Sequence, residues 1–180
     1  MTNIRIESLV PVYGAAEIDE RISLLAAKIN ADYAGKDDVV ALCVLKGACL
    51  FFADLVRRLD FGPQIDFLRL SSYGSGDVSS GAVTMEFSGA GNLQGKHVLV
   101  VEDIVDSGRS MAFLKEYLQE QGVKTLRIVS LIDKSERREV DIAVDYVGFS
   151  VPAGFLVGYG LDYAERFREL PALYTLELED

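Results

Sequence analysis

The sequence lacks an excess of positive charge. Its 180 residues include 18 Lys and Arg against 28 Asp and Glu, which gives a formal net charge of −10. Broad binding to nucleic acid needs a net basic face, so this composition argues against a nucleic-acid-binding protein. Anionic ligands must therefore be held by local groups.

The sequence also lacks a long apolar run. Charged residues interrupt each apolar stretch before it reaches the roughly 18–20 residues that a membrane span needs, and the N-terminal MTNIRIESLV shows no basic-then-apolar signal pattern. The two cysteines, Cys43 and Cys49, lie in or beside the apolar run VVALCVLKGACLFF, which favours reduced, buried thiols over a disulfide. We therefore expect one domain over residues 1–180, in a reducing cytoplasm.

Alternating helix and strand patterns predict an α/β fold. Ile18, Ile22, Leu25, Ile29 and Tyr33 repeat at helical spacing before Gly35. The patterns predict further helices over residues 47–59 and 111–121, and strands over residues 39–45, 64–71, 82–87, 98–101 and 124–132. The Ser- and Gly-rich segment 71–81 is predicted to be a loop of the kind that forms lids.

The most informative segment is VLVVEDIVDSGRSM at 98–111. A β-branched strand leads into acidic residues and then into a Ser/Gly/Ser turn that opens a helix. In an open α/β sheet ligands bind at the carboxyl ends of strands, and the N–H groups at a helix N-terminus favour a bound phosphate. The segment therefore predicts an anion site.

The carboxylates of this segment leave two alternatives open. Glu102 and Asp103 suit either a pair that binds sugar hydroxyls and a hydrated cation, or one buried and one exposed carboxylate. Asp106 is either a catalytic group beside a phosphate, which would otherwise repel it, or a helix cap.

The whole chain resembles the hypoxanthine(-guanine) phosphoribosyltransferases of the type I phosphoribosyltransferase family. GKHVLVVEDIVDSGRS at 95–110 is similar to the family's phosphoribosyl-diphosphate signature. Further matching motifs are LKG at 45–47, SSYG at 71–74, SSG at 79–81, LIDKSERR at 131–138 and VGFSVPAGFLVGYGLDYAERFRELP at 147–171. The resemblance implies a central, mostly parallel sheet flanked by helices, with a small hood built from the N-terminal segment and roughly residues 145–180.

The resemblance also implies an activity. A member of this family transfers the 5-phosphoribosyl group from phosphoribosyl diphosphate to hypoxanthine or guanine, giving IMP or GMP and pyrophosphate, with Mg²⁺ as cofactor. Relatives form homodimers or homotetramers.

Residue roles follow from the resemblance position by position. Asp106 would handle the proton on purine N7, and Mg²⁺ would be held by Glu102, Asp103 and Asp162. Phosphoribosyl diphosphate would be bound by Lys46, Gly47, Glu102, Asp103, Asp106, Ser107, Gly108, Arg109, Ser110 and Arg168. The purine would contact Lys134, Phe155, Leu156 and Asp162. Ser72 and Tyr73 would lie on a lid loop. The Leu45–Lys46 peptide is cis in relatives, and the resemblance leaves open whether it is cis here.

Several of these residues have plainer alternatives. Lys134 lies in the charged run DKSERR, for which a solvated surface loop is the default. Phe155 suits a core position, and Arg168 suits an ion pair with Glu165 or Glu169 on a helix surface. The resemblance favours the functional roles, with Lys134 donating to the purine 6-oxygen because an ammonium offers only donors.

The chain departs from the family pattern at the base pocket. Relatives commonly carry an acidic residue after the proline, whereas Ala153 and Gly154 stand between Pro152 and Phe155 here. This leaves the ranking of hypoxanthine, guanine and xanthine open, because the rim of the pocket reads the purine 2-position.

The sequence disfavours two other functions. An RNA-binding attenuator on the same fold would need a basic face, which the charge balance disfavours. A transferase for another base is disfavoured by Lys134 together with Phe155 and Asp162.

Overall fold

The computed structural model describes residues 6–72, 83–87, 91–152 and 154–178. Its helices are α1 (Ala15–Tyr33), α2 (Cys49–Val56) and α3 (Arg109–Glu120), and a short 3-10 helix covers Ser135–Arg137. Its strands are β1 (Ile6–Tyr13), β2 (Val39–Leu45), β3 (Gln64–Ser72), β4 (Val83–Phe87), β5 (His97–Val105), β6 (Thr125–Asp133), β7 (Tyr146–Ser150), β8 (Leu156–Val157) and β9 (Leu173–Leu178).

Six strands form the main sheet, in the order β4-β3-β2-β5-β6-β7. Neighbouring strands are parallel except for β4, which runs antiparallel to β3. The predicted mostly parallel sheet is confirmed.

Strand β2 shows why this sheet lies at the centre of the molecule. Val39 and Ala41 belong to a core that includes the apolar faces of α1 and α2. Their neighbours Val40 and Leu42 belong to a second core, which includes the apolar face of α3. Because successive strand residues point to opposite faces, an unbroken apolar run can bury both faces of a sheet beneath helices.

A second, three-stranded sheet has the order β1-β9-β8, with antiparallel pairing throughout. The sheet pairs the N-terminal strand with the C-terminal strands. Its strand β8 places Leu156 in a cavity that residues at the ends of β5 and β6 also line.

None of the helices in the described part of the chain is both long and apolar enough to cross a membrane. Cys43 is buried, Cys49 is half-buried, and both thiols are free. Burial raises the pKa of Cys43 to about 12, so this thiol stays protonated at neutral pH.

Two predicted boundaries were wrong. The second helix ends at Val56 rather than near Leu59, and the chain reaches buried Leu59 through a turn. The strand predicted over residues 98–101 continues to Val105, because Ile104 and Val105 still pair with β6. Of the predicted lid residues, Ser72 ends β3, whereas Tyr73 lies outside the described residues.

Candidate active site

The candidate site lies where β2, β5 and β6 end at one edge of the main sheet. These strands are parallel neighbours, so their carboxyl ends meet there. After β2 the chain enters α2 on one face of the sheet, and after β5 it enters α3 on the other face. Ligands of open α/β sheets bind at such a switch point.

The acidic pair is at the end of β5. Glu102 is only 7% exposed, and Asp103 is half-buried. Burial raises the pKa of Glu102 well above its ordinary value, and the side chain and negative charge of Asp103 act in the same direction. The Asp103 backbone N–H, which donates to Glu102 Oε1 at 3.1 Å, acts in the opposite direction. Both carboxylates line one cavity of about 250 Å³. A bound cation would favour the ionised form of Glu102.

Gly47 faces this pair from the loop after β2. A Cβ at this position would overlap the Asp103 carboxylate, lying only 2.5 Å from Cγ. The preceding Leu45–Lys46 peptide is cis. Any larger residue at this position would therefore force the Asp103 carboxylate to move, because the backbone of this loop and the Asp103 side chain share one space.

The turn between β5 and α3 lines the same cavity through Asp106, Ser107, Gly108 and Ser110. Gly108 is the N-cap residue of α3 with φ of 83°, and the side chain that contacts the N-terminus of the helix is Ser107, whose Oγ accepts from the Arg109 N–H at 3.5 Å. The alternative that Asp106 caps α3 is therefore wrong. Arg109 is not among the described residues lining this cavity, and its guanidinium pairs with Glu139 at 2.6 Å.

A second cavity of about 400 Å³ adjoins the first, and Asp103, Ile104 and Asp106 line both. Its other lining residues are Lys134, Arg137, Phe155, Leu156, Leu161 and Asp162.

Lys134, which directly follows β6, is only 4% exposed, so the alternative of a solvated surface lysine is wrong. Its Nζ donates to the Gly154 carbonyl at 2.7 Å. Burial lowers the pKa of Lys134, and the charge of Asp106 partly opposes this shift.

Phe155 is 50% exposed, so the alternative of a core aromatic is also wrong. Its ring meets Tyr163 edge-on, with 5.4 Å between centroids. The exposed ring lines the second cavity.

Two basic side chains beside the site meet at one carboxylate, that of Glu165. Lys46 Nζ lies 2.9 Å from Glu165 Oε2, and Arg168 Nη2 lies 2.7 Å from Asp162 Oδ1 and 3.5 Å from Glu165 Oε1. The predicted pair of Arg168 with Glu165 is present, but in a turn rather than on a helix.

Comparison with known proteins identifies the family. A family model described as the phosphoribosyl transferase domain matches residues 14–164. The chain belongs to this phosphoribosyl transferase family.

Individual relatives carry related names. The chain is 41% identical over 177 residues to a hypoxanthine-guanine phosphoribosyltransferase of Aquifex aeolicus, covering 98% of this chain and 99% of that protein. It is 44% identical over 163 residues to the bifunctional protein TilS/HprT of Listeria monocytogenes. This match covers 91% of this chain but only 25% of that longer protein. A crystal structure of a hypoxanthine phosphoribosyltransferase from Staphylococcus aureus matches with a TM-score of 0.87 and 37% identity, covering 96% of this chain and 92% of that one. The predicted phosphoribosyltransferase family and its fold are confirmed.

Most of the predicted site residues of this phosphoribosyltransferase line one of the two cavities. Apart from the lid residues Ser72 and Tyr73, the exceptions are Lys46, Gly47, Arg109 and Arg168, and of these Lys46 and Arg168 lie beside the cavities as an ion-paired group.

Two site residues were not singled out by the sequence reasoning. Arg137 Nε lies 3.3 Å from Asp106 Oδ1, and Glu165 pairs with Lys46. Arg137 belongs to the quoted LIDKSERR motif and Glu165 appears there only as a partner for Arg168, so nothing in their spacing indicated these contacts.

We predict that Gly47→Ala lowers kcat/KM for phosphoribosyl diphosphate by about 10²-fold, the order of loss that a 1 Å displacement of a binding group can cause. The Asp103 carboxylate must move away from the added methyl group. Gly91→Ala is the matched control, because the nearest atom to its Cβ among the described residues would be Asp66 Oδ2, at 3.5 Å. Equal kinetics for the two variants, each with an unchanged melting temperature, would contradict the prediction.

Proposed function

We propose that this chain transfers the 5-phosphoribosyl group from phosphoribosyl diphosphate to hypoxanthine and guanine, with release of pyrophosphate. The observation that carries the proposal is that a buried lysine, Lys134, and Asp106 line one cavity, while Asp106 also lines the adjoining cavity at the N-terminus of α3. The names of the relatives support the same reaction.

The second cavity would take the purine. The Lys134 ammonium has donors only, so it recognises the oxygen at the purine 6-position and offers nothing to the amino group of adenine. The Phe155 ring stacks on the base, and Leu156 and Asp162 line its edge.

The first cavity would take the ribosyl 5-phosphate. Glu102 and Asp103 accept hydrogen bonds from the ribose hydroxyls, while the turn from Ser107 to Ser110 holds the phosphate at the N-terminus of α3. Lys46 and Arg168 neutralise the pyrophosphate. Arg109 would contribute charge near the phosphate only after leaving Glu139.

In the reaction, purine N9 forms a bond to C1′ of the ribose as the bond from C1′ to the pyrophosphate oxygen breaks. The proton on purine N7 moves to the Asp106 carboxylate. Negative charge grows on the leaving pyrophosphate, where Lys46 and Arg168 stabilise it. Exclusion of water protects the donor from hydrolysis.

The residues present fit Mg²⁺. This ion is usually held by one or two carboxylates together with substrate phosphates, rather than by an all-protein cage. Glu102 and Asp103 offer two carboxylates on one cavity and Asp162 a third on the next, whereas no group of three or more such ligands occurs in the described part of the chain. When bound, Mg²⁺ would neutralise charge on the diphosphate.

The direct test follows absorbance changes when hypoxanthine, guanine, xanthine or adenine is mixed with phosphoribosyl diphosphate and Mg²⁺. Turnover of oxopurines but not adenine supports the proposal, and the relative rates rank the three oxopurines. Absence of turnover with every base would overturn it.

Lys134→Gln tests how the base is chosen. We expect hypoxanthine turnover to fall about 10- to 100-fold, the value of a charge-assisted hydrogen bond of about 1.5–3 kcal/mol. We also expect the ratio of adenine to hypoxanthine turnover to rise, because glutamine offers an acceptor as well as donors. Lys115→Gln, at an exposed position of α3, is the control. An unchanged base preference in Lys134→Gln would contradict the assigned role.

A further inference from the structure

The Glu165 side chain lies between the two cations that flank the site. Its Oε2 is 2.9 Å from Lys46 Nζ, and its Oε1 is 3.5 Å from Arg168 Nη2. Each carboxylate oxygen thus faces one cation. These are the two cations that the proposed function assigns to pyrophosphate.

The backbone holds Glu165 in this position. Its N–H donates to Asp162 Oδ2 at 2.9 Å, while Arg168 is itself fixed by Asp162 and by the Gly160 carbonyl, to which Nη1 donates at 2.7 Å. Ala164 and Glu165 both have positive φ, of 50° and 63°, which side-chain-bearing residues adopt rarely. The turn therefore fixes the Glu165 backbone near the two cations, and the carboxylate contacts them through an exposed side chain.

The pair with Lys46 is formed by ionised groups that water can reach. The hydrogen bond from Lys46 lowers the pKa of Glu165, so this carboxylate is charged at neutral pH. The side chains of Glu165 and Lys46 are 66% and 50% exposed. Exposed ion pairs are weak and exchange readily for a better anion.

We infer that Glu165 is an intramolecular competitor for the pyrophosphate pocket: its carboxylate occupies Lys46 and Arg168 until a diphosphate displaces it. The inference rests on the proposed role of these two cations. A ligand must then bring more negative charge than one carboxylate to take the pocket, which favours diphosphates over singly charged anions. When pyrophosphate leaves, Glu165 takes its place, so the contact weakens product retention.

The test measures binding of magnesium pyrophosphate by calorimetry to the wild type and to Glu165→Gln, which keeps the shape but removes the charge. We expect the variant to bind about three- to tenfold more tightly, as two exposed ion pairs would allow. The difference should shrink in high salt, because exposed charges are screened. Glu165→Ala should shift affinity in the same direction.

Glu169→Gln is the matched control, since Glu169 is an exposed carboxylate of the same turn. Equal tightening in Glu169→Gln would reflect net charge alone and would overturn the inference. Unchanged or weaker binding in both Glu165 variants would also overturn it.

The outcome separates this inference from the proposed function. A wild-type protein that binds magnesium pyrophosphate and turns over oxopurines, with no tightening in the variants, overturns the inference alone. A wild-type protein that neither binds pyrophosphate nor turns over any base overturns both.

Discussion

Replacing Asp106 by asparagine is expected to lower kcat for hypoxanthine by about 10²- to 10⁴-fold, the range that a positioned general acid or base supplies. Asparagine keeps the shape of the side chain but cannot accept the proton from purine N7 at neutral pH. The loss should fall on kcat, while KM for phosphoribosyl diphosphate changes little. Steady-state kinetics with both substrates varied would measure the two constants separately.

The surroundings of Asp106 support this expectation. It lines both cavities, so its carboxylate lies between the proposed base and phosphoribosyl positions. Its Oδ1 is buried without a hydrogen-bond partner among the described residues, although Arg137 Nε lies 3.3 Å away as an ion-pair partner. A buried carboxylate oxygen without hydrogen bonds costs about 1–3 kcal/mol of stability or more. Asp106→Asn removes this cost together with the charge that faces Arg137 and Lys134, so the melting temperature should change little.

The control for Asp106→Asn is Asp141→Asn, which makes the same change of charge at an exposed position. Turnover by Asp106→Asn within tenfold of the control would remove Asp106 from the proton transfer. A large loss accompanied by a lower melting temperature would instead indicate a structural role for Asp106.

The sequence predicts the centre of the sheet well because burial on both faces leaves a clear pattern. The runs at β2 and β5 are apolar without alternation, and the structure buries alternate residues of β2 in two different cores. Helix ends are harder to predict. The apolar spacing that carries α2 to Val56 continues to Leu59, so periodicity alone does not mark the turn between them.

The environment of Lys134 could not be predicted from local sequence. Its neighbours in DKSERR are charged, and composition favours an exposed lysine. The lysine is buried because β6 ends at Asp133 beside the end of β5, and because the Gly154 carbonyl arrives from a distant segment to accept its hydrogen bond. Only the family resemblance pointed to this residue before the structure placed it.

The position of Glu165 depends on backbone that no periodic pattern describes. Positive φ values occur at Ala164, Glu165 and Phe167, none of which is a glycine. This turn joins Glu165 to Lys46, which lies 119 positions earlier in the chain. Long-range contacts between irregular segments arise from the packed fold, so sequence spacing gives no signal for them.

Removal of divalent metal is expected to lower turnover by about 10³-fold, because stabilisation by a metal ion is typically worth several kcal/mol. The protein carries a formal net charge of −10, and its site places Glu102, Asp103 and Asp162 beside the proposed diphosphate. Without a cation these carboxylates repel the ligand. Turnover would be measured after treatment with a chelator and again after Mg²⁺ is restored.

Measuring the binding of phosphoribosyl diphosphate with and without Mg²⁺ distinguishes this role of the metal from a general effect on folding. Phosphoribosyl diphosphate should raise the melting temperature only when Mg²⁺ is present, because a ligand stabilises the folded state in proportion to its occupancy. The melting temperature of the ligand-free protein should change little with chelator, since the carboxylates are spread over two cavities rather than gathered around one ion.

Full turnover in chelator would mean that Lys46 and Arg168 stabilise the leaving group without a metal ion. Loss of turnover with retained, metal-independent binding of the diphosphate would place the metal in the chemical step instead of in capture of the substrate.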